Sequence, residues 1–181
     1  MKKIKRLQLF FMNKKLRIIR FLSNDYYKKY SYKYFKKCGI DFQGIPKYIN
    51  YDVDFDLISP DKIHIGENTV IAKGSIILVH DYSIECGLEI IGKENPEYEM
   101  QFLKDVYIGK NCFIGARTFI LPGAKIGDNC IVGAGSVVSG EIPSNSIVAG
   151  NPAKVINQTD EWAKKNYNKK NYFPGTKNKK K

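Results

Sequence analysis

Residues 108–143, read as IGKNCF IGARTF ILPGAK IGDNCI VGAGSV VSGEIP, divide into six consecutive hexads without a slip. Their leading residues are Ile108, Ile114, Ile120, Ile126, Val132 and Val138. An amphipathic helix would repeat near 3.6 residues and a simple strand at 2. A period of six is neither. It suits a short strand with an inward side chain, then a corner, repeated around a solenoid. The aliphatic fills the core, a small residue sits beside it, and Gly is expected to relax the backbone near the turn. Gly follows the leading aliphatic at 66, 109, 115, 127 and 133, and the small fifth place holds Thr69, Ser75, Cys112, Thr118, Ala124, Cys130 and Ser136. One such repeat cannot bury its own face, so stacked coils are required.

Upstream, IGENTV and IAKGSI keep the beat from Ile65, and ILVHDY begins correctly at Ile77 and fails. Residues 78–105 then leave the repeat in an acidic stretch with Glu85, Glu89, Glu94, Glu97, Glu99 and Asp105. An excursion of that length from a rigid repeat is a functional or disordered segment. Its isoleucines and aromatics favour an ordered loop. At its mouth stands His80; the other histidine, His64, alternates with Ile63 and Ile65 and is expected to face outward in a plain surface role.

The 181 residues suffice for one domain with appendages. The net charge of +12 is uneven, with +12 over residues 1–50, −6 over 51–156 and +6 over 157–181. A basic flank suits an anionic lipid surface or an anionic cofactor. No nucleic-acid motif accompanies the charge, so no nucleic-acid partner is expected. Cys38, Cys86, Cys112 and Cys130 form no CxxC pair, and no metal site is expected. No apolar run reaches the length of a membrane span. The opening MKKIKRLQLFFMNKK is basic, but its apolar run is too short and broken for a signal peptide. A cytoplasmic protein follows, with a peripheral membrane position left open.

The hexads resemble those of the hexapeptide-repeat acyltransferases, over residues 52–156. That resemblance implies an all-β solenoid: a left-handed parallel β-helix with three hexads per 18-residue coil, an inserted loop, and helical or irregular N- and C-terminal flanks. The expected division is a basic, helical arm over 1–50, the β-helix over 51–156 with its loop at 78–105, and a basic tail over 157–181. Within one coil height, Cys112 and Cys130 stack as reduced core thiols.

HDYS, residues 80–83, looks like the start of the inserted loop in sugar O-acetyltransferases of the colanic acid, galactoside and maltose types. The resemblance makes His80 the catalytic base. Imidazole titrates near neutrality and suits removal of a hydroxyl proton during attack on a thioester. A lone His beside Asp is otherwise often structural. Adjacent residues of an extended chain point to opposite sides, so Asp81 is not expected to orient the ring. Glu85, Asp52, Asp54 and Asp56 remain as alternatives. A backbone N–H near Ala116 is the implied oxyanion donor. Cys86 has no base in its context, and the family transfers acyl groups directly.

The end, SGEIPSNSIVAGNPAKVI, resembles the coenzyme A end of the same enzymes, which implies acetyl-CoA as cosubstrate. By alignment, Phe113, Ala116, Ala134 and Ser139 line the pantetheine, Gly140 occupies a place often held by Lys or Arg, and Lys154 reaches phosphate. Arg117, Lys125 or the basic tail are further phosphate candidates, and a solvated charge is the plain alternative for Lys154. Asp52, Asp54, Tyr82 and Glu85 are the acceptor candidates; a solvated edge strand or ordinary packing accounts for them as well.

The resemblance implies a homotrimer with sites between subunits, and acetyl transfer to a sugar hydroxyl in capsule, exopolysaccharide or lipopolysaccharide synthesis. A xenobiotic or amino-sugar N-acetyltransferase and a structural scaffold are the rivals. The γ-class carbonic anhydrases share the fold but need three histidine ligands. Residues 4–22 carry Ile4, Leu7, Phe11, Ile18 and Leu22 near helical spacing among Lys and Arg. Such a helix caps the solenoid or, within residues 1–37, meets an anionic membrane.

Overall fold

The computed structural model describes residues 14–170 and 172–175. Ile4, Leu7 and Phe11 of the expected amphipathic helix and the Lys-rich end from residue 176 lie outside them. The core is a three-sided prism of short parallel strands. The first sheet stacks Asp41–Gln43, Ile63–Gly66, Val106–Ile108, Lys125–Ile126 and Glu141–Ile142. The second stacks Tyr48–Ile49, Val70–Ile71, Phe113–Ile114, Ile131–Val132 and Ser146–Gly150, with Ala153–Gln158 returning antiparallel on its edge. The third stacks Asp54–Phe55, Ile76–Ile77, Phe119–Ile120 and Val137–Val138.

The hexads set the register. Ile108, Ile114 and Ile120 lie opposite Ile126, Val132 and Val138 in the coil above, and opposite Ile65, Ile71 and Ile77 below. All of these side chains are buried. A further coil lies beneath, in which Phe42, Ile49 and Phe55 meet Ile65, Ile71 and Ile77. The solenoid thus starts at Asp41, upstream of residue 51. Its first coil hides from the hexad count because its inward residues are unevenly spaced and the 3-10 turn Pro60–Lys62 interrupts the approach to the next coil.

Glycine acts differently from the expectation. The glycines at 66, 109, 115 and 127 have ordinary backbone angles. They matter because coils touch there: a Cβ on Gly66 would meet Lys110 N at 2.4 Å, and one on Gly109 would meet Gly127 C at 2.6 Å. At one corner the left-handed turn falls to the fourth place, on Asn68, Asn111, Asn129 and Asn145, with φ of 56, 55, 57 and 63°. Asparagine tolerates this region because its short amide bonds locally. Here the amides also form a ladder. Asn68 donates to Asn111 at 2.9 Å, Asn111 to Asn129 at 3.0 Å, and Asn129 to Asn145 at 2.9 Å.

The small fifth place does more than make room. Thr69 Oγ1 donates to Gly109 O at 2.8 Å, Ser75 Oγ to Gly115 O at 3.0 Å, and Ser136 Oγ to Gly133 O at 2.7 Å. Corner carbonyls that no strand reaches are thereby satisfied. Cys112 and Cys130 fill the same place in successive coils as buried free thiols.

The lower end of the prism is covered by two helices: α1, described over 14–22, and α2, Asn24–Lys37. Ser23 caps α2, accepting from Tyr26 N at 3.3 Å. Tyr27, Ser31 and Phe35, one helical face of α2, turn onto the first coil. Tyr27 Oη donates to Ile49 O at 2.6 Å, and Phe35 packs edge-on against Phe55. The excursion is closed at its base by an antiparallel pair, His80–Asp81 with Phe102–Leu103, and carries α3, Ser83–Ile90. The helix α4, Thr159–Lys169, follows the last strand.

The ladder yields a measurable contrast. Asn129→Gly removes two amide bonds but tolerates the left-handed angle, whereas Asn129→Ala removes the same two bonds and must also hold a Cβ at that angle. In urea melts the Ala variant should be the less stable by about 1–2 kcal/mol. Equal midpoints would mean that the turn imposes no backbone cost.

Candidate active site at the coil break

The third strand of the second coil ends at Ile77, and Leu78 N still donates to Ile120 O at 2.9 Å. Val79 is fully buried, so the chain leaves the prism only at His80. There the antiparallel pair takes over, and Lys104 N donates to Val79 O at 2.8 Å. His80 is held at both ends of this change of direction.

Of the four carboxylates left open by the sequence, Asp56 meets the ring. Its Oδ2 bonds His80 Nδ1 and also accepts Val79 N at 3.0 Å and His80 N at 3.2 Å. Its Oδ1 accepts Ile58 N at 3.2 Å. The carboxylate side chain is 3% exposed. A carboxylate on Nδ1 fixes that nitrogen as the donor and leaves Nε2 with its lone pair. Nε2 has no hydrogen-bond partner among the described residues, and the ring is 21% exposed. Burial by itself pushes the Asp56 carboxyl up; the bonds from His80, Val79 and Ile58 outweigh it and hold the group below the ordinary carboxylate range. Neighbouring Asp54 goes the other way, raised by burial and by the Asp56 charge.

Asp52 and Glu85 have other partners. Asp52 Oδ1 accepts Gly74 N at 3.2 Å. Glu85 Oε2 accepts Met100 N at 2.5 Å and so braces the excursion. Asp81 Oδ1 accepts Ser83 N at 2.6 Å at the start of α3. Tyr82 stands edge-on to His80, ring centres 5.5 Å apart, and is partly exposed. Cys86 is exposed on α3.

His64 is the residue whose surroundings the sequence did not signal. It projects from the first sheet but is only 17% exposed, stacked on Tyr107 at 4.3 Å. Nδ1 lies 2.8 Å from Asp41 and Nε2 3.2 Å from Asp105, which also takes Lys62 Nζ at 3.2 Å. The cluster ties the first coil to the returning end of the excursion.

The expected cofactor residues divide between two corners. Ala116 and Ala134 lie at the corner before the third sheet, one coil apart, where Gly135 N donates to Ala116 O at 2.8 Å. Phe113 projects from the second sheet beside them, exposed. Lys154 is on the antiparallel edge strand, opposite Ala149. Ser139 and Gly140 lie at the corner after the third sheet, the side on which His80 leaves the second coil. The third sheet separates the two groups within one chain. Of the alternative phosphate cations, Lys125 is paired with Glu141 at 2.9 Å. Arg117 is exposed, with a left-handed φ of 56°.

The model of the bacterial transferase hexapeptide family, six repeats, matches residues 105–140. Protein CapG of Staphylococcus aureus is 33% identical over 149 residues, 76% of this chain and 83% of CapG. The chain belongs to the hexapeptide-repeat acetyltransferase family. Its prism is the left-handed parallel β-helix of that family. Galactoside O-acetyltransferase of Escherichia coli K12 is 34% identical over 119 residues, 58% of each chain. The crystal structure of a maltose O-acetyltransferase from Clostridium difficile 630 superposes with a TM-score of 0.56 at 26% identity, over 81% of this chain and 84% of that one. A galactoside acetyltransferase solved with coenzyme A shares the fold, with a TM-score of 0.54 at 22% identity, over 87% and 84%. The chain spans little more than half the length of several curated relatives that it matches. Among the described residues no helix is long and apolar enough to cross a membrane.

The Asp56 environment sets a pH dependence of folding. A carboxyl lowered by folding contributes in full above its unfolded pKa, about 4, and loses that contribution as pH falls through the folded value. The stability gap between wild type and Asp56→Asn should therefore narrow as urea midpoints are taken from about pH 5 down to about pH 3. A constant gap would mean that the Asp56 charge does not favour the fold.

Proposed function

We propose that the protein is an acetyl-CoA-dependent O-acetyltransferase acting on a sugar hydroxyl, with His80 as general base. The observation that carries this reading is the Asp56–His80 pair at the coil break, with Nε2 unpartnered among the described residues and the ring partly exposed. Its sugar O-acetyltransferase relatives support the substrate class, and the galactoside acetyltransferase solved with coenzyme A supports the donor. The pathway is synthesis of a capsule, exopolysaccharide or lipopolysaccharide.

In the reaction, His80 Nε2 takes the acceptor hydroxyl proton as that oxygen bonds to the thioester carbonyl carbon. Asp56 steadies the imidazolium that forms. When the carbon–sulfur bond breaks, His80 returns the proton to sulfur, leaving an acetyl ester and a free thiol. The small side chains of Ala116 and Ala134 leave the corner open for a pantetheine arm, Phe113 flanks it, and Lys154 or Arg117 supplies a cation for phosphate. Asp54, on the strand that stacks beneath Ile76–Ile77, and Tyr82, whose ring stands edge-on to His80, are placed to meet the acceptor. Because the two groups lie on opposite sides of the third sheet, they converge on one cleft only between copies. A homotrimer meets that requirement.

The test is calorimetric titration of coenzyme A into protein whose mass has been measured by light scattering, followed by acetyl transfer to sugar acceptors. Wild type should be a trimer that binds the cofactor. His80→Ala should keep both properties and lose about 10²-fold or more in turnover. Unchanged turnover would remove His80 as the base, and an intact trimer without affinity for coenzyme A would favour a scaffold.

A further inference from the structure

The helix α1 has two apolar faces. Leu16 is fully buried and Ile19 packs on the core, which seats the helix on the solenoid. Ile18, Phe21 and Leu22 share another face by helical spacing and are 60%, 90% and 75% exposed. Tyr26, at the start of α2, adds a further exposed ring. A docked helix normally needs only one apolar stripe, and a cluster of bulky exposed side chains marks a contact surface.

The charge around this cluster is one-sided. Residues 14–37 hold nine Lys or Arg and a single acidic residue, Asp25, against a net −6 for residues 51–156. Arg17 and Arg20 line a shallow groove with Phe21 and Tyr51. The Arg20 guanidinium lies over the rings of Tyr48 and Tyr51, at 5.6 and 5.7 Å. Lys28, Lys29, Lys33, Lys36 and Lys37 continue the positive charge along α2.

We propose that this face docks on an anionic lipid bilayer, with Ile18, Phe21 and Leu22 entering the acyl boundary and the flanking cations meeting headgroup phosphates. The combination of bulky apolar side chains with surrounding Lys and Arg is what an interfacial helix requires. The same face of a second copy would set like charges against each other. A nucleic acid would engage the cations and leave Ile18 and Leu22 in water. Capping the solenoid and touching a membrane are therefore carried by different faces of one helix. None of these residues belongs to the pair at the coil break, so the inference stands apart from the proposed chemistry.

The full chain would be sedimented with vesicles of phosphatidylglycerol and phosphatidylcholine, and with phosphatidylcholine alone, at low and high salt. Wild type should favour the anionic vesicles and be released by salt. The double variant F21S/L22S should keep its mass, its circular dichroism and its affinity for coenzyme A, and bind the anionic vesicles about tenfold or more weaker. Absence of binding to anionic vesicles at low salt would overturn the proposal. So would equal binding by the variant, which would reduce the effect to charge alone. A fall in the variant's mass would make the face a subunit interface and overturn it too.

Discussion

Neighbouring parallel strands in the prism stand about 4.8 Å apart, and that spacing governs each place of the hexad. The leading aliphatic fills a triangular interior from three sides at once. The second place must be Gly where backbone passes backbone, since a Cβ there would lie within 2.4 to 2.6 Å of the next coil. The fourth place at one corner must adopt a left-handed angle, and asparagine does so while bonding its equivalents above and below. The fifth must be small, and where it carries a hydroxyl it completes the carbonyls that the corner leaves open. The repeat is a record of these separate demands rather than of a single preference.

A stack built this way has flat outer faces marked only by open, shallow depressions such as the one beside Lys125, Glu141 and Ser144. In the proposed function, chemistry enters where the stack is broken. The chain leaves the third sheet at His80, and the antiparallel pair with Phe102–Leu103 absorbs the change of direction. The coil below, still regular, presents Asp56 to the two backbone N–H groups and the ring nitrogen at that point. A buried carboxylate with four donors is pinned, and it pins the ring in turn. The rigidity of the repeat thus becomes the rigidity of the site. Asp41, His64 and Asp105 act on the opposite end of the excursion, fixing where it rejoins the first sheet.

The lower end of the prism meets a different problem. An open coil end would expose Ile49 and Phe55, and α1 with α2 covers them using Leu16, Tyr27 and Phe35. The charge of these helices contrasts with the acidic middle, so electrostatic and packing roles are segregated along the chain. The helix α1 keeps a second face turned away from the solenoid, and that face is apolar as well.

The inward aliphatics and the position of the break could be read from residues 65–143, because each follows from a strict local period; the 18-residue coil, and with it the stacked thiols, was implied by the family resemblance. His80 stood out as the place where the period fails. What could not be read were contacts between residues far apart in the chain. Asp56 reaches His80 across 24 positions and was one of four equal candidates, since Asp52, Asp54, Asp56 and Glu85 carry the same chemistry and only stacking selects among them. The first coil was hidden because Phe42, Ile49 and Phe55 are unevenly spaced, although their neighbours above hold them in register. The role of Gly was misread for the same reason: proximity of the next coil is a property of the stack and leaves no mark on the angles of the residue itself. Period is written in one dimension, whereas partnership is decided by which coils come to lie side by side.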